Sequence, residues 1–150
     1  MTTGKEEIFD LKLLDKILEE AAENIGDIHP IIMNKFLTDY QKSSEIFSHH
    51  GGVHVKSMQN TMIDWGLYCL IGWINYKGEA KSVLTDAIRQ HKQSSIDPQL
   101  TRGLMKCIFT VIGQNINPSS ISELRLWNRI ESEILDFLLK IETENYSLKN

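Results

Sequence analysis

The chain has 150 residues, with 16 Lys and Arg against 20 Asp and Glu for a formal charge of −4, long enough for one domain to bury its own core without disulfides or a structural metal. The acidic balance offers no electrostatic footprint for wrapping nucleic acid, and no stretch approaches the roughly 18–20 consecutive apolar residues of a membrane span. Neither a nucleic-acid role nor a membrane partner is expected.

Leu11, Leu14, Leu18, Ala21, Ala22 and Ile25 recur at steps of three and four, which predicts an amphipathic helix from about residue 6 to 25 that stops at Gly26. Asp27 then reads as a cap for a second helix, with Pro30 tolerated in its first turn and Ile31, Ile32, Phe36 and Tyr40 as its apolar positions. SSEIF at 43–47 predicts a short turn of helix that delivers Phe47 to the interior, and HHGG at 49–52 reads as the breaker after it. From Val53 to about Ile74 runs the longest pattern, with Val55, Met58, Met62, Gly66, Cys69 and Trp73 on one stripe and Ile63, Leu67, Leu70 and Ile74 beside it. Such a wide apolar face belongs to a helix that crosses the core.

NYKGE at 75–79 reads as a loop, after which Ala80, Leu84, Ala87, Ile88 and His91 share one helical face. Asp97 and Pro98 supply cap and first-turn signals for a helix with the stripe Leu100, Leu104, Ile108, Val111 and Ile112, and Gly113 is the expected stop. SISE at 120–123 fits a capping box, and Leu124, Trp127, Ile130, Ile134, Phe137 and Ile141 carry the last helix before a polar tail, TENYSLKN, that is expected to fray. No alternating strand segment, hairpin signal, repeat or low-complexity tract interrupts this pattern, so the fold class is all-α, with about seven helices in a single domain.

The start, MTTGKEEIFDLKLL, has neither the basic residues nor the apolar run of a signal peptide. Cys69 and Cys107 stand singly in apolar helical stretches with no C-x-x-C or zinc spacing, as core thiols do. A soluble, cytoplasmic protein is expected. Metal binding by His49, His50 and His54 is disfavoured, because Gly51 and Gly52 interrupt the helix that would have to hold all three.

His91 is the residue the pattern leaves open. A histidine on an apolar helical face is often a core residue bonded to a backbone carbonyl, and the face alone does not separate that role from a ligand. The segment HKQSSIDPQL, from His91 to Leu100, resembles the proximal-histidine segment of bacterial globins and of the haem domain of flavohaemoglobins. In those proteins a histidine is followed five positions on by an apolar residue, here Ile96, and seven on by a proline that opens the next helix, here Pro98. EIFS at 45–48 is similar to the globin corner segment with its phenylalanine, QNTMI at 59–63 falls where the distal residue and its apolar neighbour lie, and ELRLWNRIESEILDFL is similar to the last globin helix, with Trp127 as its tryptophan. The resemblance spans roughly residues 10–142.

It implies a globin fold around a haem pocket, with haem b (iron protoporphyrin IX) as cofactor and His91 as the iron ligand. A proximal imidazole must be neutral, and its other ring nitrogen is normally oriented by a carbonyl or hydroxyl. Leu84, Ile88, Ile96 and Leu104 can then supply the proximal wall, and Phe47, Ile63 and Met33 the distal one. The amide of Gln59 is placed to donate a hydrogen bond to a bound gas molecule. The implied function is reversible binding of O2 or another diatomic ligand (NO, CO) in transport, storage or sensing. Two alternatives stay open: a haem redox enzyme such as a nitric oxide dioxygenase, and a haem-free globin-fold signalling module. With no Gly-rich dinucleotide fingerprint in the sequence, redox turnover is expected to need a separate reductase. The chain departs from flavohaemoglobins at Met33 and at Thr101, ten residues after His91, where they carry tyrosines, while Glu142 is available to match the glutamate of their last helix that supports the histidine.

Overall fold

The structure, a computed structural model, describes residues 4–116 and 121–147. Among these residues the chain is helical with no strand, in the order α1 (Gly4–Ile25), α2 (Ile28–Asp39), α3 (Ser43–Gly51), a 3-10 turn (Gly52–His54), α4 (Val55–Gly72), α5 (Lys77–Gln93), α6 (Gln99–Gln114) and α7 (Ile121–Ser147). None of the described helices is long and apolar enough to cross a membrane.

Local chemistry sets most of the boundaries. α1 ends where Gly26 turns left-handed at φ 76°, a conformation that costs glycine little because it has no Cβ. Asp27 then caps α2, its carboxylate accepting from the His29 backbone N–H at 3.1 Å. α3 runs through both His49 and His50, so the histidines are not the breaker; Gly52, at φ 55°, is. The turn before α5 is shorter than expected, since Lys77, Gly78 and Glu79 are already helical.

Two further boundaries differ from expectation. Gly113 does not stop α6, which continues to Gln114. A Cβ at Gly113 would lie 3.0 Å from the Trp127 ring nitrogen, so this glycine serves the contact with α7 rather than a turn. α7 continues through TENYS to Ser147. Of the expected capping box SISE, Ser120 lies outside the described residues.

α6 is the central helix. Its Leu104, Met105, Cys107, Ile108, Phe109, Val111 and Ile112 are all buried, and it packs against α1, α2, α4 and α7. α7 brings Trp127, Ile130, Ile134, Leu138 and Ile141 to the same core, with Phe109 and Trp127 rings at 5.1 Å. Two ion pairs tie α1 across to α7: Lys16 to Glu123 at 2.6 Å and Arg129 to Asp10 at 2.7 Å. The inner face of α2 is Ile32, Met33 and Phe36, while Ile31 turns outward.

The segment between α5 and α6 matters most for the site. Ser95 adopts φ 59°, the Ile96 N–H bonds the His91 carbonyl at 2.7 Å and the Ser95 N–H bonds the Lys92 carbonyl at 3.1 Å. These are the two bonds of a Schellman motif, with serine in the left-handed position that usually goes to glycine. The Asp97 carboxylate accepts from the Gln99 N–H at 2.9 Å, so α6 starts immediately, with Thr101 of its first turn beside His91 at the end of α5.

Candidate functional site

A cavity of about 390 Å³ opens between α4, α5 and α6, within the size range of small-molecule sites. Met62, Trp65, Gly66 and Cys69 line it from α4, Leu84 and His91 from α5, and Thr101, Leu104 and Met105 from α6. Its walls are mostly apolar, with Asp86 and Gln90 adding polarity from α5. Gly66 shapes the floor. A Cβ there would stand 2.7 Å from Ile108 Cδ1 and 3.0 Å from Met105 Sδ, so α4 approaches α6 this closely only without a side chain at 66.

His91 sits in the last turn of α5 and is half-buried. Its Nδ1 lies 2.6 Å from the Thr101 hydroxyl oxygen, a contact that bridges the Schellman turn and fixes the ring. Burial of the ring, with a smaller contribution from the charge of His50, pushes its pKa below the ordinary histidine value, so the imidazole is neutral near pH 7. When Nδ1–H donates to the threonine oxygen, Nε2 keeps its lone pair. Among the described residues no protein group bonds that nitrogen.

The cysteine in the wall is chemically quiet. Burial, reinforced by Glu79, pushes the Cys69 thiol up to about 11, and its Sγ makes a weak bond to the Ala80 carbonyl at 3.8 Å. It is therefore a thiol and not a thiolate at neutral pH. No group of three or more His, Cys, Asp and Glu that could hold a bare metal ion is present among the described residues.

Of the residues singled out from sequence, His91, Leu84 and Leu104 meet at this cavity. Ile88 is fully buried one turn before His91, and Ile96, half-buried, reaches the site through its backbone bond to the His91 carbonyl. Met33, Phe47 and Ile63 are core residues, with the Phe36 and Phe47 rings edge to face at 6.3 Å, and none of the three lines the cavity. Gln59 is half-exposed in the first half of α4 and lies off the cavity wall. The Glu142 carboxylate does not support His91. It is held by Arg102, at 3.0 and 3.4 Å, because Arg102, and not Thr101, faces α7.

Sequence reasoning missed the α4 wall and the part played by Thr101. The signal for the threonine was its spacing of ten from His91, which a tight turn between two helices brings back alongside the ring. No protein-family model, curated protein or solved structure matches this chain.

Proposed function

We propose that the protein is a globin-like haem protein that reversibly binds O2 or another diatomic gas such as NO or CO, in which this cavity would take haem b and His91 would hold its iron. The observation that carries this reading is the His91–Thr101 contact: an imidazole held through Nδ1 at 2.6 Å, neutral, in a mostly apolar cavity, with no partner for its other nitrogen among the described residues. A metal-ligating histidine needs that combination of tautomer, orientation and unprotonated state.

The residues present fit the group in chemistry. Leu84, Leu104, Met62 and Met105 offer aliphatic and thioether surface to an apolar macrocycle, and Cys69, kept as a thiol, does not compete for iron. When bound, the haem supplies a ferrous centre with affinity for diatomic gases. The chain's own work is to hold the Nδ1 proton at Thr101, present Nε2 and exclude water from the apolar walls. Two free, buried cysteines suit a reducing cytoplasm.

The test is a haem titration of the purified full chain, followed by absorption. We expect one-to-one binding with a strong Soret band, ferrous complexes with O2 and CO, and loss of most of the bound haem in His91→Ala. Absence of a Soret band, or full haem retention in the alanine variant, overturns the reading. Nitric oxide consumption with an added reductant separates a redox enzyme from a carrier or sensor.

A further inference from the structure

Three uncharged donor groups meet in the cavity wall, one from each of the helices that form it. His91 offers Nε2 from α5, Met62 a thioether sulfur from α4 and Met105 a second one from α6. Their places are linked through the wall. Thr101, which fixes the His91 ring at 2.6 Å, lies one helical turn before Met105 on the same face of α6. The Met105 Sδ rests against Gly66, where a Cβ would meet it at 3.0 Å, and Met62 lies one turn before Gly66 on the same face of α4. We propose that this cavity is also a site for a soft monovalent metal ion, Cu(I), held by His91 Nε2 and the sulfurs of Met62 and Met105.

The donor set selects that ion. Thioethers are soft ligands and imidazole is accepted by copper in either oxidation state, whereas Mg, Ca and Mn ask for carboxylates and carbonyls. Among the described residues no group of three or more His, Cys, Asp and Glu offers a site to a harder ion. Charge points the same way. The cost of taking an ion out of water rises with the square of its charge, so a dication pays about four times the penalty of a monocation against these apolar walls. All three donors are neutral, and Asp86, exposed at the cavity rim and 3.5 Å from Arg89, brings one carboxylate to the same wall.

The side chains can close on an ion without a change of backbone. A methionine has three rotatable bonds before its sulfur, while the histidine is already oriented by Thr101. Cys69 stands outside the donor set, because its thiol stays protonated and faces the Ala80 carbonyl at 3.8 Å. The inference does not rest on the haem reading: the ion needs only these donor atoms, and the two occupants exclude one another.

The test is an anaerobic titration of the full chain, freed of any haem, in which it competes with bicinchoninate for Cu(I) kept reduced by ascorbate. Methionine methyl resonances are followed in parallel. The sequence has five methionines, and we expect Cu(I) to shift the methyl signals of Met62 and Met105 while those of Met33 and Met58 stay in place. Met62→Leu, Met105→Leu and His91→Ala should each weaken Cu(I) binding about tenfold or more. Leucine keeps the volume of methionine, so the first two variants retain the fold and the wild-type far-UV spectrum. Met58→Leu, one turn before Met62 and off the cavity wall, and Cys69→Ser should bind as the wild type does, and Zn(II) should not displace the copper. No uptake of Cu(I), uptake that moves neither cavity methyl signal, or affinity unchanged in both cavity leucine variants overturns the proposal, as does loss of binding in Met58→Leu or Cys69→Ser or displacement by Zn(II). A chain that gives a Soret band with haem but takes no Cu(I) when haem-free overturns this inference alone, and one that takes Cu(I) but gives no Soret band overturns the haem reading alone.

Discussion

Replacing Thr101 with valine removes one atom's function and little of the side chain's shape. The hydroxyl that meets His91 Nδ1 at 2.6 Å is lost, and valine offers that half-buried nitrogen no partner. Leaving a donor unpaired in such a place costs about 1–3 kcal/mol, which is roughly 5- to 150-fold in an equilibrium constant. The same range is reached from metal sites, where losing the group that orients a ligating histidine typically costs about 10–100-fold in metal affinity. Thr101→Val should therefore bind haem about 10–100-fold more weakly, read as faster transfer of haem to a scavenging apoprotein and as a shifted midpoint in absorption titrations. Thr101→Ser, which keeps the hydroxyl, should stay close to wild type. The denaturant midpoint of the haem-free protein separates a general loss of stability from a loss at the site. If the valine variant held haem within about twofold of wild type while His91→Ala lost it, the orienting role of the hydroxyl would be refuted.

Ser95→Gly should stabilise the protein by about 0.5–1 kcal/mol in denaturant melts, because relief of the left-handed strain exceeds the extra chain entropy of glycine. Gly103→Ala should lower stability by about 1–2 kcal/mol: its Cβ would run into the ring of Tyr40, and the resulting overpacking outweighs alanine's better helix propensity. At His29, burial of the ring works downward, but the Asp64 and Asp27 carboxylates outweigh it and raise the pKa. The stabilisation from its charged form is thus complete below the unfolded value of about 6.5 and is lost as pH rises through the higher folded value. His29→Gln should flatten that part of the stability profile, and parallel profiles for the two proteins would show that the ring carries no linked proton. His91 has the opposite sign, its pKa being held down, so its neutral, buried form is stable above about pH 6.5 and acid titration below that value should release haem, followed by loss of the Soret band.

How much of this was legible from the sequence depended on whether a local rule set the outcome. Gly26 and Asp27 mark their boundary correctly because left-handed φ and side-chain capping are decided within a few residues. Gly113 misled for the converse reason. Nothing local distinguishes a glycine that ends a helix from one that admits the Trp127 ring of a helix not yet placed. On α4 two apolar stripes lie side by side, and periodicity alone could not say that Met62, Gly66 and Cys69 face the cavity while Ile63 faces the core. His91 stood out because its face and its spacing to Pro98 agreed. Thr101 did not, since its position opposite the ring depends on a serine taking a conformation that composition assigns to glycine.

The tight connection between α5 and α6 also bears on the order in which the protein assembles. His91 and Thr101 are ten residues apart, and the turn between them is closed by its own backbone bonds. Contacts this local cost little loop-closure entropy and belong to the fast events of folding. The opposite wall, Met62 to Cys69, must be brought in from α4 across a much longer stretch of chain. The His91–Thr101 contact is thereby set early, whereas the cavity beside it closes only when α4 packs in.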